Sequence, residues 1–228
     1  MDIRDDYQLL EIEVEATNPV NAGGCFTSEE SPRLFVGQTR DGNVRRYRQD
    51  VPERIKEELD DTIDGEPVVQ DLRVGLAYLE EYQRILGKQE PVQQVSRGFG
   101  YKYPDRLQRH QGVVRVTQDN VHLSAETFPW LLEELQQSQP CVATILDDRF
   151  VALCHSAYIS TKAHIAGIDT LEGYRRRGHA VAVAAEWGQA VRELGKIPIY
   201  STGIDNVASQ GVAAKVGLLH YNSDRHFM

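Results

Sequence analysis

The stretch from Gly178 to Leu194 leaves the chain little conformational choice. Ala180, Val183, Ala184, Trp187, Val191 and Leu194 recur at steps of three and four, which on an α-helix makes one apolar stripe. Gly195 follows as a stop signal. Strand-like runs flank the helix, Ala163 to Thr170 before it and Ile197 to Ser201 after it. Strand, glycine-bearing turn, helix and strand in series make a βαβ-like crossover, and the apolar stripe must lie against a sheet. A helix that opens at the end of a strand is also a ready anion site, because its first N–H groups have no partner within the helix.

The rest of the second half reads as sheet with short helices. Gly112 to Thr117 is a short strand, Pro129 to Gln137 a helix, and Cys141 to Leu146 and Phe150 to Ile159 are β-rich. Asp147-Asp148 makes a tight turn between the last two, so they should pair antiparallel. Asn206 to Val216 reads as a helix ended by Gly217. In the first half, Leu9 to Val14 fits either helix or strand, and Leu34-Phe35-Val36 runs into a hairpin signal at Asp41-Gly42. Pro52 to Leu59 and Pro67 to Leu86 read as helices, with Gly87 as a C-cap. Gly98 to Pro104 is an aromatic, glycine-bearing loop. The expected division is a mainly helical N-terminal module over 1–109 and an α/β domain over 110–228.

Charge narrows the partners. The formal net charge is −9, whereas general nucleic-acid binders carry basic surfaces. From Asp50 to Asp71 there are nine acids and two bases, a solvated, acidic stretch; from Leu171 to Met228 there are seven bases and five acids. An anionic ligand therefore belongs to the C-terminal part. Cys25, Cys141 and Cys154 are odd in number and match no zinc spacing, so no metal is expected and a reducing compartment is. Met1 to Leu10 carries acids and no apolar h-region, and no apolar run approaches the ~20 residues of a membrane helix. A soluble, cytoplasmic protein is expected, with neither nucleic acid nor membrane as partner; a homodimer is allowed.

The string Thr170-Leu171-Glu172-Gly173-Tyr174-Arg175-Arg176-Arg177-Gly178-His179-Ala180 sits at the strand-to-helix turn. An arginine run before a glycine is also what an exposed basic helix start looks like, so its neighbours decide. Residues 140 to 218 resemble the GNAT superfamily of acyltransferases. Arg175-Arg176-Arg177-Gly178-His179-Ala180 is similar to that superfamily's (Gln/Arg)-x-x-Gly-x-(Gly/Ala) pattern. Ile165 to Thr170 resembles the strand that borders the cofactor's pantetheine arm. Tyr200 to Gln210, followed by Lys215-Val216-Gly217-Leu218, resembles the next strand and helix, which an Asn opens and a Gly-Leu pair closes. The N-terminal hundred residues resemble a helical extension of some bacterial members.

The resemblance implies a mixed, mostly antiparallel sheet with splayed central strands flanked by helices. It implies acetyl-CoA as cosubstrate. Backbone groups of Ile168, Asp169 and Thr170 would pair with the pantetheine as an added strand would, Arg175, Arg176, Arg177, Gly178, His179 and Ala180 would hold the pyrophosphate, and Ser201, Asn206 and Ser209 would contact the pantetheine or thioester end. The implied reaction is direct transfer of an acetyl group to a primary amine of a small molecule or peptide; the acidic N-terminal half favours a cationic acceptor.

Amide formation needs a base for the amine, polarisation of the carbonyl and protonation of the departing thiolate. Asp169 and Glu172 could take a proton through water, and His155 and His164 have suitable intrinsic pKa values. Relatives often carry a carboxylate on the strand at 163 to 167, where this chain has His164, Ile165 and Ala166. The acid position seven residues after the Asn is Ala213, leaving Tyr200, Ser209 or Tyr221 as substitutes. Cys154 and His155 are adjacent in a strand and point to opposite faces, so they make a poor catalytic pair. The replaced base and acid positions leave a second reading open, a catalytically weak or inactive acyl-CoA sensor. A nucleotide-binding domain of another class is disfavoured: no Gly-x-Gly-x-x-Gly follows a strand, and Gly87-Lys88-Gln89 lacks the hydroxyl residue of a phosphate loop.

Overall fold

The computed structural model describes residues 5–228; residues 1–4, the start of the acidic opening, lie outside the described residues. The elements in chain order are α1 (Asp6–Thr17), β1 (Leu34–Gln38), β2 (Asn43–Tyr47), α2 (Glu53–Asp64), α3 (Leu79–Leu86), β3 (Val95–Lys102), β4 (Val113–Arg115), α4 (Leu131–Glu134), β5 (Val142–Leu146), β6 (Arg149–Ile159), β7 (Ala163–Thr170), α5 (His179–Glu193), β8 (Ile197–Gly203), α6 (Val207–Val216) and β9 (Leu219–Phe227). They form two compact units. The first is Met1–Gly100 with Thr202–Asp205 and His220–Met228; the second is Tyr101–Ser201 with Asn206–Leu219.

The first unit orders its strands β2-β1-β9-β3. Asp41-Gly42 turns the β1–β2 hairpin as its sequence dictates, with Leu34 opposite Tyr47 and Gln38 opposite Asn43. The ambiguous run Leu9 to Val14 is helical. The Asp5 side chain caps α1 by accepting from the Gln8 N–H, satisfying one of the donors a helix start leaves open. On α2, Ile55, Leu59 and Ile63 fall at steps of four and bury against Tyr82, Ile85 and Leu86 of α3 and against Leu34, Val36 and Phe227.

This unit is not mainly helical. Among its described residues three helices accompany four strands, because Leu34–Gln38, Asn43–Tyr47, Val95–Lys102 and Leu219–Phe227 all go into sheet. Gly98 to Pro104, expected as a loop, is largely the end of β3. The helix expected from Pro67 is confined to Leu79–Leu86. The chain before it is held instead by the buried Glu66 carboxylate, which accepts from the N–H groups of Ala77 (2.5 Å) and Tyr78 (3.2 Å) and from the Tyr82 hydroxyl (2.7 Å).

The second unit orders its strands β8-β7-β6-β5-β4. β4 to β7 pair antiparallel in succession, and β7 with β8 is the parallel pair that a crossover through α5 demands. Asp147 (φ 50°) and Asp148 (φ 54°) form the two-residue β5–β6 turn, the conformation that matches strand twist. Val183, Trp187 and Val191 of α5 cover one face, against Val142, Ala152, Cys154 and Tyr200. Val121, Phe128, Leu131 and Leu135 cover the other, against Cys141, Ala143, Phe150 and Leu153. Burial on both faces is why Phe150 to Cys154 reads as unbroken apolar sequence rather than alternation.

Candidate functional site

The parallel ladder between β7 and β8 is short. It runs Ala163 to Ile197, His164 to Pro198 and Ile165 to Ile199, and then stops. β7 continues to Thr170, paired on its other side with β6 as far as Ala152 opposite Thr170. Past Ile165, the edge of β7 that faces away from β6 has no ladder partner among the described residues. Ile168, Asp169 and Thr170 lie on this stretch. The Thr170 carbonyl accepts from Nε of Arg175 (3.3 Å).

β7 ends in a single 3₁₀ turn, Glu172–Tyr174, and the chain enters α5 through the arginine run. Arg176 takes φ 61° and Gly178 φ 90°. Gly178 is the N-cap of α5, and no side chain caps the helix. A Cβ at 178 would meet nothing within 4 Å, so space above the first turn is open. The uncapped N–H groups, the helix dipole and three exposed arginines give this end of α5 the character of an anion seat.

Arg149, which sequence reasoning passed over, joins the same cluster. Its guanidinium lies 5.8 Å from the centre of the Tyr174 ring, with that of Arg177 at 5.5 Å, and it donates to the Tyr174 hydroxyl (3.1 Å). No motif spacing could have found it. Only the β6–β7 register carries the start of β6 to the end of β7.

Asn206 opens α6 with its side-chain oxygen accepting from the Ser209 N–H (3.0 Å). The Tyr200 hydroxyl lies 2.6 Å from Ser209 Oγ, and burial pushes this phenol up to about 12. Tyr200, Asn206 and Ser209 are thus brought together. Asp169 and Glu172 are exposed, and Ser201 is half-buried. His164 is buried, and its Nδ1 lies 2.9 Å from Ser156 Oγ, which also accepts from Nε1 of Trp187 (3.3 Å). That chain faces α5 and occupies the ring. Tyr221, in the first unit, donates its hydroxyl to the buried carboxylate of Glu13. Cys141 and Cys154 are buried in apolar surroundings, which pushes the first thiol up to about 12 and the second up as well, against thiolate chemistry.

A mixed, mostly antiparallel sheet whose parallel pair parts beside a basic, glycine-opened helix is the arrangement that the resemblance to the GNAT acyltransferases implies. Residues 136–224 match the family model described as GNAT acetyltransferase. Among solved structures it is similar to an acetyltransferase of the GNAT family from Colwellia psychrerythraea, at 13% identity and TM-score 0.52, over 100% of this chain and 97% of that one. It also matches a putative GNAT acetyltransferase from Novosphingobium aromaticivorans DSM 12444 at 15% identity and TM-score 0.48, covering 59% of this chain and 65% of that one. No curated protein matches its sequence. No helix among the described residues is long and apolar enough to cross a membrane.

Proposed function

We propose that the chain transfers an acetyl group from acetyl-CoA directly to a primary amine of a small molecule or peptide. The observation that carries this is the parting of β7 from β8 after Ile165 and Ile199, beside the uncapped, arginine-flanked start of α5. An unpaired strand edge suits a pantetheine arm with its two amides, and the helix start suits a diphosphate. Arg175 to Ala180 would hold the diphosphate. Ile168, Asp169 and Thr170 would meet the pantetheine along the free edge. Ser201 and Asn206 would contact the thioester end. Bound there, acetyl-CoA supplies the activated carbonyl.

The chain's own groups do the rest. The Tyr200 hydroxyl, kept protonated by burial, can donate to the departing sulfur, with Ser209 holding its orientation. Asp169 and Glu172 can carry a proton to solvent. The surplus of acids between Asp50 and Asp71 favours a cationic acceptor. A direct test is acetyl-CoA binding by calorimetry together with thiol release across a panel of amines. Binding with turnover on at least one amine is expected; tight binding with no turnover on any would make the chain an acyl-CoA sensor.

A further inference from the structure

The acetyl-transfer reading, on which this inference rests, lacks a free base on β7 between Ala163 and Ala166. His164 is taken by Ser156, and Ile165 and Ala166 carry no proton acceptor. The next position is Gly167, which pairs with His155 of β6. A Cβ built on Gly167 would lie 2.4 Å from Nε2 of His155, 2.9 Å from its Cε1 and 3.0 Å from its Cδ2. The imidazole of β6 therefore fills the space that a side chain on β7 would fill, two residues past the last rung of the β7–β8 ladder.

The geometry points to His155 as the general base of the transfer, with Nε2 receiving the proton of the acceptor amine through the gap that Gly167 leaves. Three further features fit this role. The Trp130 ring stands 4.9 Å from the imidazole and fixes it from the helical side. Nδ1 is enclosed beside the Ser156 backbone, and Nε2 is the nitrogen that faces the gap at Gly167. Burial lowers the pKa of the ring and outweighs the two carboxylates that face it, Asp169 from β7 and Glu134 from α4, so the imidazole is neutral and able to accept a proton near neutral pH.

Sidedness agrees. Ala166 and Ile168 belong to the face that α5 covers, together with Tyr200, while Gly167 alternates to the opposite face. Base and acid thus stand on opposite faces of the sheet and do not compete for one position. In the step, the ammonium gives one proton to Nε2. The freed nitrogen lone pair forms the C–N bond, the C–S bond breaks, and sulfur takes the Tyr200 proton. Nitrogen sheds its second proton to water, the phenolate regains one from water, and the imidazolium releases its proton to water.

Two variants test this: His155→Gln, which keeps the ring's bulk and loses the base, and Gly167→Ala, which displaces the ring and leaves its chemistry intact. For both, kcat should fall about 10²–10³-fold while acetyl-CoA affinity by calorimetry holds within about threefold. The acid limb of the kcat/KM profile should vanish in His155→Gln. Unchanged kinetics and pH profile in that variant would overturn the assignment, and so would loss of acetyl-CoA binding in step with turnover, which would make His155 a packing residue. A parent protein that binds acetyl-CoA and acetylates no amine would instead defeat the transfer reading itself.

Discussion

Tyr200 and Ser209 share a 2.6 Å hydroxyl–hydroxyl contact that ties β8 to the first turn of α6, the turn that Asn206 caps. The contact decides where the phenol can act. Burial raises its pKa to about 12, so it stays a donor across the working pH range. In Tyr200→Phe, acetyl-CoA affinity should change little and kcat should fall roughly 10²-fold, the low end of general-acid contributions. Steady-state kinetics beside calorimetry would separate the two; an equal loss in both would assign Tyr200 to binding rather than to proton transfer.

Gly178 combines two properties that substitutions can pull apart. Its φ of 90° is a left-handed conformation that costs a side-chain-bearing residue about 1–2 kcal/mol, yet a Cβ there would meet nothing. Gly178→Ala should therefore lower the thermal midpoint by a few degrees and leave most acetyl-CoA affinity. Gly178→Glu adds the same strain and also sets a carboxylate over the helix start, so affinity should fall at least about 10²-fold, or about 2.7 kcal/mol. Calorimetry on both variants checks this. Equal affinities in the two would remove the diphosphate from that position.

The helix over 179–193, the β5–β6 hairpin and the glycine-opened turn were legible because each rests on local rules: a stripe at steps of three and four, two residues able to take positive φ, and one glycine before a helix. Arg149, the gap at Gly167 and the engagement of His164 were not, since each depends on which residue stands across a ladder. Neither was the C-terminal strand. Leu219 to Phe227 alternates polar and apolar only weakly, because Asn222, Ser223, Asp224 and Arg225 are buried rather than exposed. Pro67 to Tyr78 resembled a helix by its leucines, yet Glu66 draws its backbone N–H groups away from any helical ladder.

Acid should destabilise the fold from the ordinary histidine range downward. Burial lowers the pKa of His155, His164 and His220 below 6.5. The unfolded chain then binds protons that the folded chain refuses, so this stability is present above about pH 6.5 and is lost as pH falls through the lowered values. His226 works the other way: burial alone would lower it, but the Asp224 carboxylate outweighs that and raises it, so its contribution is present in acid and fades as pH rises. Three groups against one give a net loss on acidification. Urea midpoints measured between about pH 8 and pH 5 should fall, and the fall should be shallower in His164→Gln, which keeps a partner for Ser156 and removes one titrating ring.

Glu66 organises the segment before α3 through three donors at once, and its carboxylate is the only kind of side chain that can accept all three. Glu66→Gln replaces one oxygen by an NH₂ that must confront either the Ala77 N–H, which now donates to Oε1, or the Tyr78 N–H and Tyr82 hydroxyl, which now share Oε2. The hydroxyl can rotate to accept, while a backbone N–H cannot, so at least one part-buried donor loses its partner, at a cost of about 1 kcal/mol. Glu66→Ala strands all three and should cost more. The damage should also be local, with amide exchange accelerating at Ala77 and Tyr78 well before it does at Ile55 or Leu59 of α2. Uniform acceleration across the unit would mean that Glu66 supports global stability and does not specifically anchor this segment.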